Sequence, residues 1–311
     1  MTEIEETANF SSGYELVVSK NRRFLEIINK KGNKRSATAA TSSLHVTVGD
    51  WVKGEASDEA VLISIIKPRK NLLIRTSGKK SKALAANIDH LFIITAPPPL
   101  TDLEFINRVA TCASEQQIPF TIISNKSDLP SRELKSILSV YQKLSWPIIS
   151  TSTITGEGIG ILCSTINCQK NFIIALTGVS GVGKSSLLNC LITTDVQQKT
   201  SPTSKKSGQG RQTTSQARAV PVLDNQQNFK FFAVDLPGVQ NFGVCHLNEL
   251  EIKQSFEEFS QLKAECAFQD CMHISEDRCA VKHALQLGKI SKSRYDSYIS
   301  MINEIKANKE Y

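Results

Sequence analysis

Eight consecutive residues, from Gly178 to Ser185, have the residue types and spacing of a phosphate-binding loop, G-x-x-x-x-G-K-[ST]. In such a loop, backbone N–H groups curl around the phosphates, and the following helix adds a favourable dipole. We expect Lys184 to reach the outer phosphates and the Ser185 hydroxyl to ligate Mg²⁺. An apolar run over 172–176 precedes the loop and a helical pattern follows it, which is the setting the motif requires. The residues expected to hold a nucleoside triphosphate are Gly178, Val179, Ser180, Gly181, Val182, Gly183, Lys184, Ser185 and Ser186.

A second motif, Asn125-Lys126-Ser127-Asp128, indicates which base is bound. A carboxylate at Asp128 can accept two hydrogen bonds from the guanine ring N–H and exocyclic amine, partners that adenine does not offer. A site built for polar edges rejects analogues that lack them. We expect Asn125 to hold the loop and Lys126 to lie along the base, so the pattern selects GTP over ATP. Residues 152–158, with Ser152 and Thr153, resemble the loop whose backbone contacts the guanine oxygen, although a simple strand-to-helix turn is an alternative.

The order of these motifs is unusual. The guanine-reading segments precede the phosphate loop, whereas ordinary GTPases have the reverse order, so the sequence predicts a circularly permuted domain. Residues 208–215 have the position and character of a first switch, in which Thr213 or Thr214 would ligate the metal. A D-x-P-G second switch follows, in which Asp235 would hold Mg²⁺ through water and the Gly238 N–H would sense the γ-phosphate.

The residue after the second-switch glycine is Val239, where Ras-like enzymes carry a water-orienting Gln. An apolar side chain cannot orient water by hydrogen bonding, so we expect slow intrinsic hydrolysis and dependence on an activator. Gln212, and less plausibly Gln240, could take the catalytic water-positioning role.

Three cysteines and a histidine cluster near the C-terminal end, with the spacing C-x4-C-x-H-x5-C. Three thiolates and one imidazole meet the need of a closed, four-coordinate structural Zn²⁺ site. Buried free cysteines are the alternative. We expect His283, just beyond the cluster, to be a helix residue and not a ligand. The predicted zinc ligands are Cys266, Cys271, His273 and Cys279.

Composition sets the frame for these sites. The chain has 311 residues, 40% of them hydrophobic, and a formal net charge of +7, which fits two or three packed domains. The acidic N-terminus lacks a leader's apolar core, no run is long enough to span a membrane, and the eight cysteines do not form a disulfide framework. We therefore expect a cytoplasmic monomer with no membrane partner. Basic clusters over 20–35 and 67–82 suit RNA, with a solvated basic face as an equally good alternative.

The predicted elements divide the chain into five parts. Residues 1–12 are expected to form a disordered tail and 77–86 a linker. Residues 87–246 alternate strands and helices, as in a parallel α/β sheet carrying the permuted GTPase. Residues 247–311 form a helical zinc-binding domain with Lys282, Lys289, Lys292 and Arg294 exposed. Residues 13–76 hold short strands that predict a barrel of the OB type, with an SH3-like barrel as the alternative; the strands are placed at 14–18, 24–28, 44–48, 51–53, 61–66 and 72–74.

With these motifs in hand, the chain resembles the ribosome small-subunit-dependent GTPase A family, the RsgA (YjeQ) group of circularly permuted bacterial GTPases. The resemblance covers nearly everything from Gly13 onward. It rests on V-G-D-W-V at 48–52, A-A-N-I-D at 85–89, N-K-S-D, G-V-S-G-V-G-K-S, G-R-Q-T-T-S, D-L-P-G and the Cys-Cys-His-Cys knuckle.

The resemblance implies an OB barrel, a GTPase centre and a zinc domain, with both outer domains gripping the small ribosomal subunit and its rRNA. It also implies a late step in subunit maturation, with subunit-stimulated hydrolysis of GTP to GDP and phosphate. Three positions depart from the family pattern: Gln212 replaces the usual switch His, Leu236 a Thr, and Gly181 the P-loop Asn of many potassium-activated GTPases. Gln212 can orient water but cannot carry a proton as imidazole does. The rival hypotheses are an RNA-binding scaffold that senses GTP with little turnover, and a GTPase acting on tRNA or another RNA.

Overall fold

The N-terminal part of the chain is a closed five-stranded barrel. Its strands are β1 (Glu15–Lys20), β2 (Leu25–Ile28), β3 (Lys34–Ala39), β4 (Trp51–Ala56) and β5 (Val61–Ile66). They pair in the order β1-β2-β3-β5-β4, and β4 pairs back onto β1, so no strand edge is left open. Only β3 and β5 run parallel. The computed structural model describes residues 10, 12–21, 24–57, 60–78, 80–98, 102–168, 172–193, 216–224, 226, 229–237 and 242–309.

The prediction from the sequence placed one barrel strand wrongly. Residues 44–48, predicted as a strand, are irregular, and the third strand is instead Lys34–Ala39. Of that strand only Ala37 is buried, so it lacks the apolar alternation that signals a strand. The 44–48 segment is apolar because Val46 and Val48 pack into the interior, and the buried Asp50 carboxylate accepts a hydrogen bond from Thr47 N at 2.7 Å.

The linker expected over 77–86 was also wrong. Strands β6 (Leu72–Ser77) and β7 (Lys80–Ala86) form an antiparallel hairpin between the barrel and the central domain. The prediction failed because β7 begins with the exposed residues Lys-Ser-Lys, which are typical of a linker. The last three residues of the strand are buried against the barrel, where Ala86 N donates to Val48 O at 2.9 Å.

The central domain is a six-stranded sheet flanked by helices. Its strands are β8 (His90–Thr95), β9 (Phe120–Asn125), β10 (Ile148–Thr151), β11 (Ile173–Thr177), β12 (Arg218–Leu223) and β13 (Phe229–Asp235), in the order β10-β9-β8-β11-β13-β12. All pairs are parallel except β12–β13. Residue pair Ser19–Arg218 joins β1 to β12, so barrel and central sheet are continuous. The helices are α1 (Leu103–Glu115), α2 (Arg132–Lys143), α3 (Ile159–Cys168) and α4 (Lys184–Thr193).

The sheet order explains how distant motifs meet. Strand β11, which feeds the phosphate loop, lies between β8 and β13. The carboxyl ends of parallel strands share one edge of the sheet, and ligands bind in the crevice at that edge. The ends of β9, β10, β11 and β13 therefore bring together segments that are up to 110 residues apart in the sequence, from Asn125 to Asp235.

The C-terminal part is helical and packs on α1. It contains α5 (Glu249–Gln254), α6 (Glu257–Ser260), a 3₁₀ turn (Lys263–Glu265), α7 (Ala280–Gln286) and α8 (Lys292–Lys309). His283 lies in α7, as expected. Arg294, predicted to be exposed, is instead 2% exposed. Its guanidinium is drawn inward because it bonds the Glu258 carboxylate and the Asn107 side chain of α1. No helix in the described ranges is long and apolar enough to cross a membrane.

Candidate functional site

The phosphate loop connects β11 to α4 and is fixed from the neighbouring strand. Asn125, at the end of β9, donates from Nδ2 to Val182 O at 2.7 Å and accepts at Oδ1 from the Thr151 hydroxyl at 3.1 Å. Gly183 has a φ of +97°, and a Cβ there would lie 2.3 Å from Asn125 Nδ2. Glycine is required at that position both by the backbone conformation and by this contact.

Two opposite charges lie at the floor of the loop. The Lys184 ammonium donates to Gly178 O at 2.9 Å and to Val179 O at 3.2 Å, so it is curled into the loop. Burial lowers the pKa of Lys184, and the nearby Asp235 carboxylate opposes that shift. Asp235 ends β13 and pairs in register with Leu176 of β11, so both residues lie at the same sheet edge. A buried cation beside a carboxylate suits a phosphate accompanied by a metal ion.

The two guanine-reading loops are bonded to each other. Ser152 Oγ donates to Asp128 Oδ1 at 2.6 Å and also accepts from the backbone N–H groups of Ile154 and Thr155. Ser127 Oγ donates to Glu157 Oε2 at 2.7 Å. These contacts orient the Asp128 carboxylate, which remains half-buried at the mouth of the site. Thr153 lies in the same turn, and Lys126 has a φ of +61° at the bend after β9.

The remaining predicted residues of the phosphate loop, Ser180, Gly181, Ser185 and Ser186, lie at the loop and at the start of α4. Gln212, Thr213, Thr214 and Gly238 lie outside the described residues, as do Val239 and Gln240.

The three cysteines and the histidine of the knuckle come together as a four-ligand cluster. The Sγ atoms of Cys266, Cys271 and Cys279 and a ring nitrogen of His273 all lie within 4.8 Å of one another. His273 Nδ1 is 3.7 Å from Cys266 Sγ and 3.4 Å from Cys279 Sγ. Ligands around a tetrahedral zinc ion lie about 3.5 to 3.8 Å apart. The donor set and its spacing therefore fit a metal ion, and burial lowers the pKa of His273, which favours the neutral imidazole that a ligand needs.

Groups around the cluster hold its backbone in place. The Glu276 carboxylate accepts from Met272 N at 2.6 Å and from Ile274 N at 2.7 Å. Tyr295 and Tyr298 of α8 donate their hydroxyls to His273 O and Met272 O. The His273 backbone has a φ of +62°, which these bonds stabilise. The cluster is thus anchored both to its own loop and to the last helix.

Comparisons with known proteins assign this architecture. The profile described as RsgA GTPase matches residues 66–245. A protein of Bacteroides fragilis named small ribosomal subunit biogenesis GTPase RsgA is 34% identical over 283 residues, covering 88% of both chains. A protein of the same name from Mannheimia succiniciproducens is 30% identical, covering 94% of this chain and 84% of its own length. The chain belongs to the RsgA GTPase family.

Solved structures agree with that assignment. The crystal structure of YjeQ from Thermotoga maritima is 27% identical and superposes with a TM-score of 0.69, covering 94% of this chain and 98% of its own. YloQ, described as a circularly permuted GTPase, superposes with a TM-score of 0.64 at 21% identity and supports the fold. The predicted OB-type barrel, permuted GTPase domain and C-terminal metal-cluster domain are confirmed. As a member of the RsgA family, the chain is a GTPase.

Sequence reasoning missed several residues that position the RsgA-type site. Thr151 and Glu157 bond the two base-reading motifs, and Glu276 shapes the metal knuckle. Thr151 ends a strand beside the N-K-x-D strand, so the alternation of strands could have placed it at the sheet edge. Glu276 could have been suspected as one of the two acids, with Asp277, that lie between the ligands His273 and Cys279, but its role depends on a loop conformation that spacing does not show.

Proposed function

We propose that this chain binds the small ribosomal subunit and hydrolyses GTP to GDP and phosphate as a late factor in maturation of that subunit. The observation that carries the proposal is the joined nucleotide site, in which Asn125 bonds the phosphate loop beside Lys184 and Asp235. The names of the RsgA relatives support the ribosomal role, and they favour turnover over the alternative of a GTP-sensing scaffold.

The roles of individual residues follow from their positions. Asp128 would bond the guanine N–H groups, and its orientation by Ser152 supports that role. Lys184 would give up its hydrogen bonds to Gly178 O and Val179 O and donate to the outer phosphates instead. Mg²⁺ would be held by Ser185 and, through water, by Asp235; when bound, it neutralises charge that develops on the phosphates. Gln212 is proposed to orient the attacking water, and Thr213 or Thr214 to complete the metal site.

The four-ligand cluster is proposed to hold one structural Zn²⁺ ion. Three thiolates and one imidazole leave no open position, so a catalytic role is not expected. The ion would fix the loop between the 3₁₀ turn and α7, because the residues between the ligands include little regular structure.

The partner is proposed to be ribosomal RNA as well as the subunit as a whole, contacted by the barrel and by the helical domain. Exposed lysines of the Asn29–Asn33 turn and of the helical part support this. We propose that the chain acts as a cytoplasmic monomer, in which 87–246 and 247–311 form separate domains after the barrel and its hairpin.

Steady-state GTP hydrolysis with and without purified small subunits tests the proposal. We expect strong stimulation by the subunit, lost in Gln212→Ala and kept in the neighbouring control Gln209→Ala. Stimulation that survives Gln212→Ala would remove Gln212 from the catalytic role and keep the function. Tight GTP binding with no stimulation at all would support the sensor-scaffold instead.

Metal analysis tests the cluster separately. One zinc per chain is expected in the purified protein. Cys271→Ser should lower the zinc content, while Cys163→Ser, a cysteine outside the cluster, should not. Equal zinc content in both variants would contradict the proposed ligands.

A further inference from the structure

A cleft of about 200 Å³ lies where the barrel, the hairpin β6–β7 and the central domain meet. Its walls include Lys20 at the end of β1, Thr47 of the barrel, Lys82 of β7, and Gln216 and Pro237 of the central domain. None of the residues that line it is acidic, and it is separate from the phosphate loop, which contributes no lining residue. The cleft is therefore a cavity distinct from the phosphate loop, although Pro237 belongs to the D-x-P-G motif.

Positive charge converges on the cleft. Lys82 lies directly opposite Arg75 across the hairpin. Burial lowers the pKa of Lys82, and repulsion from Arg75 and Lys20 lowers it further, so the three cations lie within one another's field. Burial also lowers the pKa of Arg75. Holding three like charges together is unfavourable, and a bound anion would relieve the repulsion.

Four other cations of the two basic clusters have carboxylate partners. Lys34 pairs with Glu26, Arg35 with Glu15, Arg69 with Asp50 and Lys70 with Asp89, at 2.5 to 3.1 Å. Within the described part of the chain, neither Arg75 nor Lys82 has a carboxylate partner, and the shielded Arg75 Nε has no hydrogen-bond acceptor. Arg75 and Lys82 are therefore cations without a carboxylate partner next to the cleft, whereas Lys30, Lys31 and Lys80 of the same clusters are exposed to solvent.

The cleft suits a phosphate group. The two ammonium groups that line the cleft can donate charge-assisted hydrogen bonds to a phosphate, and the Arg75 guanidinium opposite Lys82 adds positive charge. The shielded Gln216 side-chain oxygen has no partner among the described residues, and a half-turn of that amide would present its NH₂ group instead. The volume is sufficient for a phosphate group of a longer polyanion.

The cleft lies beside the segments that adjoin the two switches, so a bound phosphate would contact them. Gln216 directly follows the 208–215 segment expected to form the first switch, and Pro237 belongs to the D-x-P-G motif. We propose that this cleft binds a backbone phosphate of RNA through Lys20 and Lys82, with Arg75 adding positive charge from its place opposite Lys82, so that the bound RNA contacts the segments that adjoin both switches. The inference deepens the proposed function and rests on it for the identity of the RNA.

The test measures how the affinity of the full-length protein for a short fluorescein-labelled single-stranded RNA depends on salt. Each phosphate contact contributes about 0.7 to the slope of log K against log salt for single strands. The variant Arg75→Gln/Lys82→Gln should lower the slope by about this amount, because one phosphate is released. The variant Lys34→Gln/Arg35→Gln removes the same net charge from paired cations and should leave the slope near the wild-type value. Equal slopes for the two variants would overturn the proposal.

Two further measurements separate the alternatives. Inorganic phosphate, compared with chloride at equal ionic strength, should displace the RNA more effectively from the wild type than from Arg75→Gln/Lys82→Gln; an equal effect on the two proteins would overturn the assignment of the cleft to an RNA phosphate. Affinities measured with GDP and with a non-hydrolysable GTP analogue should differ less in Arg75→Gln/Lys82→Gln than in the wild type; an unchanged difference would overturn the switch contact.

The same variants separate this inference from the proposed function. If small subunits do not stimulate the wild-type GTPase while the slope difference persists, the proposed function fails and the phosphate site stands. If stimulation is strong and the slopes are equal, only the phosphate site fails. Unchanged thermal unfolding of the double variants would show that neither effect comes from misfolding.

Discussion

Removing the Arg294 side chain should separate the C-terminal helices from the GTPase domain more than any surface substitution on the same helix. The guanidinium is 2% exposed, and it bonds both oxygens of Glu258, at 2.8 and 3.1 Å. It also donates to Asn107 Oδ1 of α1 at 2.9 Å and lies over the rings of Trp146 and Phe256. A single side chain thus joins α1, α6 and α8.

The expected loss can be estimated from this geometry. Arg294→Ala leaves the 12%-exposed Glu258 carboxylate without its partner, and breaking a buried ion pair in this way costs about 3 to 5 kcal/mol. Lys292 is the matched control on the same helix, because its side chain is 80% exposed and pairs only with Asp296 one turn away. Exposed pairs of this kind contribute about 0.3 to 0.5 kcal/mol, so Lys292→Ala should have a small effect.

Native-state hydrogen exchange of the amides in α8 measures the opening free energy of this unit. Arg294→Ala should lower it by several kcal/mol and Lys292→Ala by less than about 1 kcal/mol. Replacing both partners, as in Arg294→Met/Glu258→Leu, should recover part of the loss because no unpaired charge remains buried. Equal protection in the two single variants would refute the view that Arg294 holds the C-terminal helices together and onto α1.

Three further predictions concern the base site, the segment after the second switch and a buried histidine. Asp128→Asn should weaken GDP binding by roughly 10- to 100-fold, since hydrogen bonds to a charged group contribute about 1.5 to 3 kcal/mol; unchanged binding in a fluorescence titration would remove Asp128 from the base site. Gly243→Ala would place a Cβ 2.6 Å from Thr76 Oγ1, so hydrogen exchange of β6 should accelerate, and unaltered exchange would contradict that close contact. Burial lowers the pKa of His90 to about 4, below the ordinary value of about 6.5, so the unfolded chain takes up the proton first as pH falls. Stability should therefore decline between about pH 6.5 and 4, by up to about 3 kcal/mol, and a His90→Leu variant should lack that part of the decline in urea titrations.

The nucleotide motifs could be placed from the sequence because their surroundings are local. An apolar strand before 178–185 and an amphipathic helix after it define the conformation of that loop, and parallel strands carry their C-terminal motifs to one edge. The contact between Asn125 and Val182 follows from this arrangement, although it joins residues 57 positions apart. The same logic identified the metal cluster, whose ligands lie within fourteen residues.

The elements that were missed depend on packing between distant parts. Strand β7 begins with exposed polar residues, and it is a strand because β6 pairs with it and Gly49 allows Ala86 O to approach. A Cβ at Gly49 would lie 2.2 Å from that oxygen. The polar helix around Arg294 predicts a surface cation. The side chain is buried because it bonds Glu258 and Asn107, which lie on other helices. Neither partner is near Arg294 in sequence, so no local pattern could show the pairing.

The permuted order gives the segment after the second switch a structural task that it would not have in the usual order. Strand β13 ends at Asp235, and by Gly243 the chain is already paired with Thr76 of the hairpin, through Thr76 N to Gly243 O at 3.0 Å and Gly243 N to Thr76 O at 3.2 Å. Val244 N then donates to Glu304 of α8 at 3.1 Å. Eight residues after the expected Mg²⁺ ligand, one short segment therefore contacts both outer parts of the molecule.

In the usual motif order, β8 would follow β13 in the chain, and this segment would lead back into the same sheet. A change at Asp235 on hydrolysis thus has a short covalent path to the hairpin that bears Arg75 and Lys82 and to the helix that anchors the metal knuckle. Coupling between the nucleotide site and the outer parts requires a segment with two alternative arrangements, because proximity alone does not transmit a change. We therefore expect the Gly243–Thr76 pairing to be lost in one of the two nucleotide states.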